Sequence, residues 1–264
     1  MTTMHYNGKR EAVYSFAEEA LPSIDIHKEM KKSGRIHTAS NGQLIVESPD
    51  LVGMPQIPLD FNAWLPFSAP HYQISADPSD YILTPVIVMP SDIPNRNGVA
   101  FPLKELIAFN PDMGMQAYKT WKGKPTHLEH ANNDITKAYG VIADSFLRPL
   151  KGWSNNQVWK VLLLLAFDRS KHADVTTKIE SGEFNSYSMG AWVGNYTCSY
   201  CGAEVGKCSH INKDAPSMYD LNGKLVFRNC HDIVGFECSS VGTPAYISAI
   251  SDKTLMMTKK EGME

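Results

Sequence analysis

The apolar positions divide the chain into a weakly patterned first part and a second part rich in predicted strands. Residues 1 to about 75 are interrupted by prolines, with a short helical candidate at Arg10–Ala20 and a strand candidate at Ile45–Glu47. Tyr81–Met89 is apolar and β-branched, which predicts a strand. Gln157–Phe167 is largely apolar without alternation, which predicts a buried central strand.

In the second part, helical spacing occurs only in short segments. Apolar residues at this spacing predict short helices within Phe101–Ile107 and Met115–Trp121. Asp168–Glu183 is polar with apolar residues four positions apart, and Gly182 is suited to end a helix there. The pattern therefore predicts strands accompanied by short helices.

A histidine and a serine lie at the ends of two predicted strands. Lys124–His130 is a strand-like run, in which alternation places His130 on the face opposite His127. Ser188 precedes the apolar alternation of Met189–Val193. A serine in such a place can act as a nucleophile if it has a base within reach and donors for the oxyanion.

Local sequence favours Ser188 over its neighbour Ser186, because Ser188 stands two positions before Gly190. The same spacing is common in turns, so a structural role is the alternative. The predicted strand Ile233–Ala245 contains one carboxylate, Glu237, which needs a partner if it is buried.

The five cysteines lie in one local stretch, which favours a metal site in a reducing compartment over a disulfide framework. Cys198 and Cys201 form a Cys-x2-Cys pair followed by glycine, a turn that points two thiolates at one ion. Cys208 and His210 follow closely enough to complete a tetrahedral set. We predict a structural zinc ion held by these four residues, in a knuckle-like insertion at residues 196–212.

Other readings of the cysteine region stay open. Cys230 or His231 could take the place of His210, and Cys238 is outside the predicted set. A redox dithiol or buried free cysteines are the alternatives to a metal site. With four protein ligands the ion has no open position, so it would be a clasp and not the catalyst.

The composition argues against several classes of function. The chain has 264 residues, of which 43% are hydrophobic, enough for a substantial core. Its formal charge is −3 with scattered Lys and Arg, which argues against a nucleic-acid surface. The apolar run Val161–Phe167 is shorter than the roughly 20 residues that span a bilayer, and the N-terminus lacks a signal-peptide pattern. We expect a soluble, non-secreted protein with no nucleic-acid and no membrane partner.

Several blocks of the chain together carry a family resemblance. In chain order they are Asn95–Gly98, Gly123–Pro125, Glu129 with His130, Tyr139–Val141, Gly182, Ser188–Gly190 and the Glu-x-Ser-x-Val-x-x-Pro-Ala run within Phe236–Ala245. Over Tyr81–Ile250 this order resembles the prohead (procapsid) maturation serine proteases of tailed bacteriophages, relatives of the herpesvirus assembly proteases. The cysteine insertion after the serine strand is similar to that of a subgroup from large phages.

The resemblance implies a fold and a division of the chain. The fold is α+β, a mainly antiparallel, β-barrel-like core with flanking short helices, as in the herpesvirus assembly protease, with the small zinc-knuckle insertion. Residues 79–250 would form the protease domain, residues 1–78 an N-terminal leader that is a candidate propeptide, and residues 251–264 a flexible tail.

The resemblance also implies a catalytic triad that uses no cofactor. Ser188 would attack the scissile carbonyl, His130 would move the proton, and Glu237 would orient the imidazole. Asp232 or His231 is the fallback third member. The fallback base is His127, and the candidate oxyanion donors are backbone amides near Gly190, Arg148 and Arg169.

The implied substrates are phage scaffold or core proteins and major capsid proteins. They would be cut inside the assembling prohead in the host cytoplasm, and a homo-oligomer is compatible with this role. One subgroup favours cleavage after Glu preceded at two residues by a small or apolar residue. Ala17–Glu19 and Ile45–Glu47 fit this rule, so we expect self-processing of the leader near one of them.

The main alternative is a non-enzymatic capsid-assembly or scaffold component whose zinc knuckle mediates protein contacts. A nucleic-acid knuckle ranks lower because its loop contains one lysine, Lys207. A metalloprotease is disfavoured because there is no His-Glu-x-x-His helix.

Overall fold

The computed structural model describes residues 61–150, 158–212, 216–242 and 246, together with five short N-terminal strands. These strands are β1 (His5–Tyr6), β2 (Arg10–Tyr14), β3 (Arg35–Thr38), β4 (Leu44–Glu47) and β5 (Ile57–Pro58). The rest of the predicted leader before residue 61 and the predicted tail at 251–264 lie outside the described residues.

The remaining elements are long strands and short helices. The helices are α1 (Phe61–Tyr72), α2 (Leu103–Ile107) and α3 (Ala173–Ser181), and single 3-10 turns cover Pro78–Asp80, Ala117–Lys119 and Ile135–Lys137. The strands are β6 (Tyr81–Pro90), β7 (Val99–Ala100), β8 (Phe109–Asn110), β9 (Met115–Gln116), β10 (Pro125–Leu128), β11 (Gly140–Leu150), β12 (Val158–Asp168), β13 (Tyr187–Cys198), β14 (Tyr219–Leu221), β15 (Lys224–Val226) and β16 (Arg228–Ser240).

A nine-stranded mixed sheet forms the body of the protein. Its order is β1-β2-β13-β16-β10-β11-β12-β6, with β7 also paired to β16. The pairings are antiparallel except those of β16 with β10 and with β7, which are parallel. Strands β3, β4 and β5 form a separate sheet, and β8–β9 and β14–β15 are hairpins. The predicted α+β class with a mainly antiparallel sheet is confirmed.

The sheet curls around the main hydrophobic core. Strand β6 contacts β13, although β16, β10, β11 and β12 lie between them in the sheet order. The enclosed core contains Val86, Trp121, Leu163, Met189 and Ile233. The curled sheet is thus a half-barrel whose inner face packs around this core.

Helix α1 covers the outer face of the sheet. Its residues Leu65 and Ala69 are fully buried in a second core with Leu164 of β12. Pro66 and Pro70 lie within this helix on its exposed side, although prolines there read as breaks in the sequence. Burial of the apolar side outweighs the lost backbone hydrogen bonds. This end of the predicted leader therefore packs as part of the folded body.

Most local predictions for the second part are confirmed, and two predicted helices are wrong. The buried strand is β12, and the left-handed Gly182 (φ 76°) ends helix α3. Within Arg10–Ala20 the described residues form strand β2, because they pair with β13. Met115–Trp121 begins as strand β9 and continues as a 3-10 turn. In the described part, no helix is long and apolar enough to cross a membrane.

Candidate functional site

Three neighbouring strands bring Ser188, Ser239 and His127 into one row of the sheet. Ser188 of β13 pairs with Ser239 of β16, which is also opposite His127 of β10. Directly paired residues share a face of the sheet, so these three side chains lie on one face. The next pair along, Met189 and Cys238, faces the main core instead. All three residues of the row are buried.

Glu237 lies two positions before Ser239 and therefore on the same face. Its Oε1 is 2.6 Å from His130 Nδ1, and Ser239 Oγ donates a hydrogen bond to its Oε2 at 2.5 Å. The His130 side chain is 4% exposed and that of Glu237 is 1% exposed. Burial makes each partner depend on the other, because an isolated charge there would be costly. With Nδ1 donating to the carboxylate, Nε2 is the basic nitrogen of His130.

Gly190 allows Glu237 to lie against the serine strand. The two residues are register partners, and a Cβ on Gly190 would lie 2.7 Å from Glu237 Oε1. The oxygen that contacts His130 is therefore placed over β13, two positions from Ser188. A larger residue at position 190 would push this carboxylate away. The Ser-x-Gly spacing thus has a physical reason that the sequence alone does not provide.

A β-bulge adjoins this contact. Gly190 pairs with Glu237 but Ala191 pairs with Gly235, so Phe236 is the extra residue of the bulge. The Phe236 ring also lies over Gly190, where an added Cβ would approach it to 2.5 Å. Bulges redirect side chains and are common beside active sites. This bulge changes the strand geometry directly next to Glu237.

His130 reaches Glu237 from a turn and not from a strand end. Strand β10 ends at Leu128, and the next two residues, Glu129 and His130, have φ values of 48° and 55°. Left-handed conformations are unfavourable for such side chains and need support from the surroundings. Glu129 provides it, because its N–H donates to the carbonyl of Ser240 and its carboxylate accepts from the N–H of Gly242.

This turn corrects the prediction that His127 faces away from His130. Strand alternation does not extend through two left-handed residues, and both imidazoles lie near Glu237. Burial lowers the pKa of His127, the carboxylate of Glu237 opposes that shift, and the neighbouring His130 adds to it. His127 is therefore a buried neutral imidazole beside the His130–Glu237 pair.

The fallback third members lie elsewhere on β16. His231 Nδ1 is 2.9 Å from Glu105 Oε1, and its Nε2 is 2.7 Å from Thr197 Oγ1. Thr197 is at the opposite end of β13 from Ser188. Asp232 is exposed next to His231 and has a φ of 53°. The strand register brings neither residue to Ser188.

The two arginine candidates for the oxyanion have their contacts in other parts of the protein. Arg169 donates to Glu180 of α3 at 2.7 Å. Arg148 is buried on β11, opposite Lys160, with its guanidinium 5.4 Å from the centre of the Phe146 ring. The backbone amides around Gly190 stay the candidate donors.

The four predicted metal ligands come together at the other end of β13. The ligand atoms of Cys198, Cys201, Cys208 and His210 all lie within 4.8 Å of one another. Zinc–sulfur bonds of 2.3 Å in a tetrahedron place the ligand atoms about 3.8 Å apart, so the cluster fits a metal with small adjustments. Cys230 and Cys238 are instead buried in the main core, where burial raises the pKa of Cys238.

The surroundings of Cys208 favour a thiolate ligand. Desolvation raises the pKa of this thiol, but the backbone N–H groups of Ile211 and His210 and hydrogen bonds with Cys201 and His210 outweigh it and lower the pKa to about 7. Metal-bound cysteines must be deprotonated. Cys198 and Ile211 form a small core with Val226, so the insertion packs against strand β15. This cluster could bind a metal ion.

Comparison with known proteins adds little to this geometry. No protein-family model and no curated protein sequence matches the chain. Among solved structures, the bacteriophage T4 capsid assembly protease, gp21, is similar over 80% of this chain and 95% of that chain. The sequence identity is 14% and the TM-score is 0.36. These values are too low to transfer residue roles, which therefore depend on the geometry of this chain.

Ser239 and Glu129 belong to the sequence blocks that carry the family resemblance, but sequence reasoning gave neither of them a role in the site. Ser239 is a partner of Glu237, and the available signal was the i, i+2 spacing that puts both on one face of a strand. Glu129 holds the turn that carries His130. Its contact with Gly242 spans most of the domain, so the local sequence gives no signal for it.

Proposed function

We propose that the protein is a serine endopeptidase with Ser188 as nucleophile, His130 as general base and Glu237 as the orienting acid. The observation that carries this proposal is the buried contact of 2.6 Å between His130 Nδ1 and Glu237 Oε1. That oxygen lies against Gly190, two positions from Ser188 on the same strand. This placement near one end of β13 supports the assignment of the three roles to Ser188, His130 and Glu237.

In the proposed reaction, His130 Nε2 accepts the Ser188 proton while the serine Oγ bonds to the scissile carbonyl carbon. The resulting imidazolium is stabilised by the Glu237 carboxylate. The same nitrogen then delivers the proton to the leaving amine as the carbon–nitrogen bond breaks. A water molecule hydrolyses the acyl-enzyme by the same route in reverse. Ser239 is a positioning residue, because its hydrogen bond fixes the second carboxylate oxygen.

The proposed substrates are scaffold or core proteins and major capsid proteins, cut inside a phage prohead. This part of the proposal depends on the sequence blocks that resemble prohead proteases. The metal cluster is assigned a structural role, as a zinc clasp held by four protein ligands. The clasp lies at the opposite end of β13 from Ser188, where an ion cannot take part in the reaction.

Co-expression of the chain with phage scaffold and major capsid proteins tests the activity. Wild type and the matched control Ser186→Ala should produce defined fragments by mass spectrometry. Ser188→Ala and His130→Ala should each reduce cleavage by about 10^6-fold, which leaves no detectable fragment. Cleavage that survives both substitutions would rule out the mechanism. A wild type that co-assembles with these proteins without cutting any would favour the non-enzymatic assembly component instead.

A further inference from the structure

The β-bulge beside Glu237 is bound by two side chains that have no part in the proposed reaction. Thr120 and Trp121 directly follow the 3-10 turn Ala117–Lys119. They are 1% and 0% exposed, so their polar atoms need partners inside the protein. Both find these partners in the backbone of glycines at the bulge, one on each strand. We refer to Thr120 and Trp121 together as the bulge clamp.

The bulge clamp supplies one donor and one acceptor to the two strands. On β13, the carbonyl of Gly190 accepts a hydrogen bond of 3.1 Å from Trp121 Nε1. On β16, the N–H of Gly235 donates to Thr120 Oγ1 at 2.7 Å. A bulge disrupts the ladder locally, and a buried backbone group there is costly unless another group binds it. The bulge clamp therefore stabilises the backbone on both sides of the bulge.

The orientation of the bulge clamp is itself fixed. Thr120 Oγ1 donates its proton to the carbonyl of Ala117 at 2.7 Å, so the oxygen is available to accept from Gly235. The Trp121 ring lies against Gly235, where an added Cβ would overlap the ring. Glycine at position 235 thus allows the indole to lie against the bulge and reach the carbonyl of Gly190.

The segment that carries the bulge clamp also leads into the strand that delivers His130. The N–H of Lys124 donates to the carbonyl of Trp121 at 3.1 Å, and β10 begins at the next residue. On the other side, Gly235 is only two positions from Glu237, so a shift of the bulge also shifts this carboxylate. The bulge clamp therefore lies between the two partners of the buried contact.

We propose that Thr120 and Trp121 are positioning residues, which keep Glu237 in contact with His130 by fixing the backbone of the bulge. Catalytic groups must be held within about 0.5 Å of the productive geometry, so a small relaxation of the bulge is enough to matter. The expected effect on cleavage rests on the proposed protease function. The contact of 2.6 Å between His130 and Glu237 can be measured without any activity.

Proton NMR of the Ser188→Ala chain tests the bulge clamp without catalysis. The Nδ1 proton of His130 lies in a short contact with a carboxylate, so it should resonate downfield of the amide protons. Its absence in His130→Gln assigns the signal. Thr120→Val removes the acceptor for Gly235, so the signal should move upfield or broaden beyond detection. Thr120→Ser keeps the hydroxyl and should keep the signal.

A second variant and a matched control complete the set. Trp121→Phe removes the donor to Gly190 but keeps an aromatic ring, and it carries the test if Thr120→Val does not fold. Thr176→Val is the control, because Thr176 is also 1% exposed and its hydroxyl also donates to backbone carbonyls, in α3. Urea unfolding checks that each variant is folded. The control should keep the His130 signal unchanged.

The same variants in the active chain connect the bulge clamp to cleavage of a peptide that spans a mapped cleavage site. Thr120→Val and Trp121→Phe should each lower kcat by about tenfold with little change in KM, because Glu237 moves and the substrate does not. Thr120→Ser and Thr176→Val should stay within about twofold of wild type.

Two results would overturn the inference. One is an unchanged NMR signal and kcat in both bulge-clamp variants, and the other is an equal loss in Thr176→Val. If the NMR signal responds as expected but the wild type cuts no substrate, the positioning of Glu237 by the bulge clamp stands and the protease proposal fails.

Discussion

The two ends of the β13–β16 ladder carry the same three kinds of side chain in different surroundings. In the order hydroxyl, imidazole and carboxylate, the sets are Ser188, His130 and Glu237 at one end and Thr197, His231 and Glu105 at the other. Each imidazole contacts its carboxylate through Nδ1, at 2.6 Å in the first set and 2.9 Å in the second. Residue types and contact geometry therefore do not by themselves identify a catalytic site.

Burial separates the two sets. The His130 and Glu237 side chains are 4% and 1% exposed, whereas those of His231 and Glu105 are 19% and 20% exposed. His231 lines an open groove of about 520 Å³ and ties helix α2 to the sheet. Charge interactions are stronger away from water, so the buried pair can stabilise an imidazolium better than the partly exposed pair can. In the proposed function the first end therefore carries the chemistry, and the second end links helix α2 to the sheet.

Matched substitutions of Glu237 and Glu105 should give the largest difference in cleavage rate between the two ends of the ladder. Glu237→Gln keeps the shape of the side chain but removes the charge that orients His130, so cleavage should fall by about 10^4-fold. Glu105→Gln should leave the cleavage rate within about threefold and cost about 1 kcal/mol in the free energy of unfolding. Fragment yield over time and urea unfolding measure the two effects. Equal losses of activity in both variants would remove the distinction drawn here.

Removing the metal ligands should affect stability and spare the chemistry. Cys208→Ser should abolish stoichiometric zinc binding and lower the Tm by at least about 10 °C, since each kcal/mol of lost metal-dependent stability corresponds to about 2–4 °C in a domain of this size. Cys230→Ser, in the main core, is the matched control and should still bind one zinc per chain. If the proposed triad is correct, cleavage by Cys208→Ser at a temperature below its transition should stay close to that of wild type.

Metal analysis of the purified wild type under reducing, chelator-free conditions is the first check. Less than one zinc per chain, or an unchanged Tm in Cys208→Ser, would contradict the clasp. A cleavage rate that fell as far as in Glu237→Gln, with the fold intact, would mean that the two ends of β13 are not independent.

The sequence predicted the features that depend on local pattern. The buried run of β12, the left-handed end of α3 at Gly182 and the cluster of Cys198 with its three partners all follow from residue type and spacing. The left-handed turn at Glu129 and His130 could not be predicted, because its support comes from Ser240 and Gly242. A rule that uses strand alternation fails where a distant contact ends the strand.

Tertiary packing also overruled local signals in the N-terminal part. Pro66 and Pro70 read as breaks, yet helix α1 forms because Leu65 and Ala69 are buried against the sheet. The pattern predicts a helix for the segment that forms strand β2, but this segment is extended because it pairs with the edge of β13. In both cases the strand that determines the structure is distant in the sequence. No local pattern in these segments could therefore reveal it.

The two glycines opposite carboxylates on β16 give a smaller comparison, in which a Cβ on Gly190 also crowds the Phe236 ring. A Cβ on Gly190 would lie 2.7 Å from Glu237 Oε1, and one on Gly194 would lie 2.6 Å from Asp232 Oδ2. Gly190→Ala should displace the carboxylate from His130 and reduce cleavage by about 10²-fold, as expected for a misplacement near 1 Å. Gly194→Ala moves an exposed side chain and should change cleavage less than about twofold. Indistinguishable rates would show that the Glu237 position is not critical.

The smallest expected effect is a pH dependence of the free energy of unfolding. It comes from His127, which is buried near Ser188. Because burial lowers its pKa in the folded state, the unfolded chain takes up this proton first, at a pKa of about 6.5. The contribution of neutral His127 to the free energy of unfolding is therefore complete above about pH 6.5. It is lost as the pH falls toward the folded-state pKa, at no more than about 1.4 kcal/mol per pH unit.

His127→Gln removes this titration and should make the free energy of unfolding, measured in urea between pH 8 and pH 5.5, fall less steeply than in wild type. His172 also has a pKa lowered by burial, so part of the slope should persist. The comparison uses slopes and not absolute stabilities, because the substitution itself changes packing beside Ser239. An unchanged slope would mean that protonated His127 is tolerated next to Glu237, and the buried end would then be more open to water than its side-chain burial indicates.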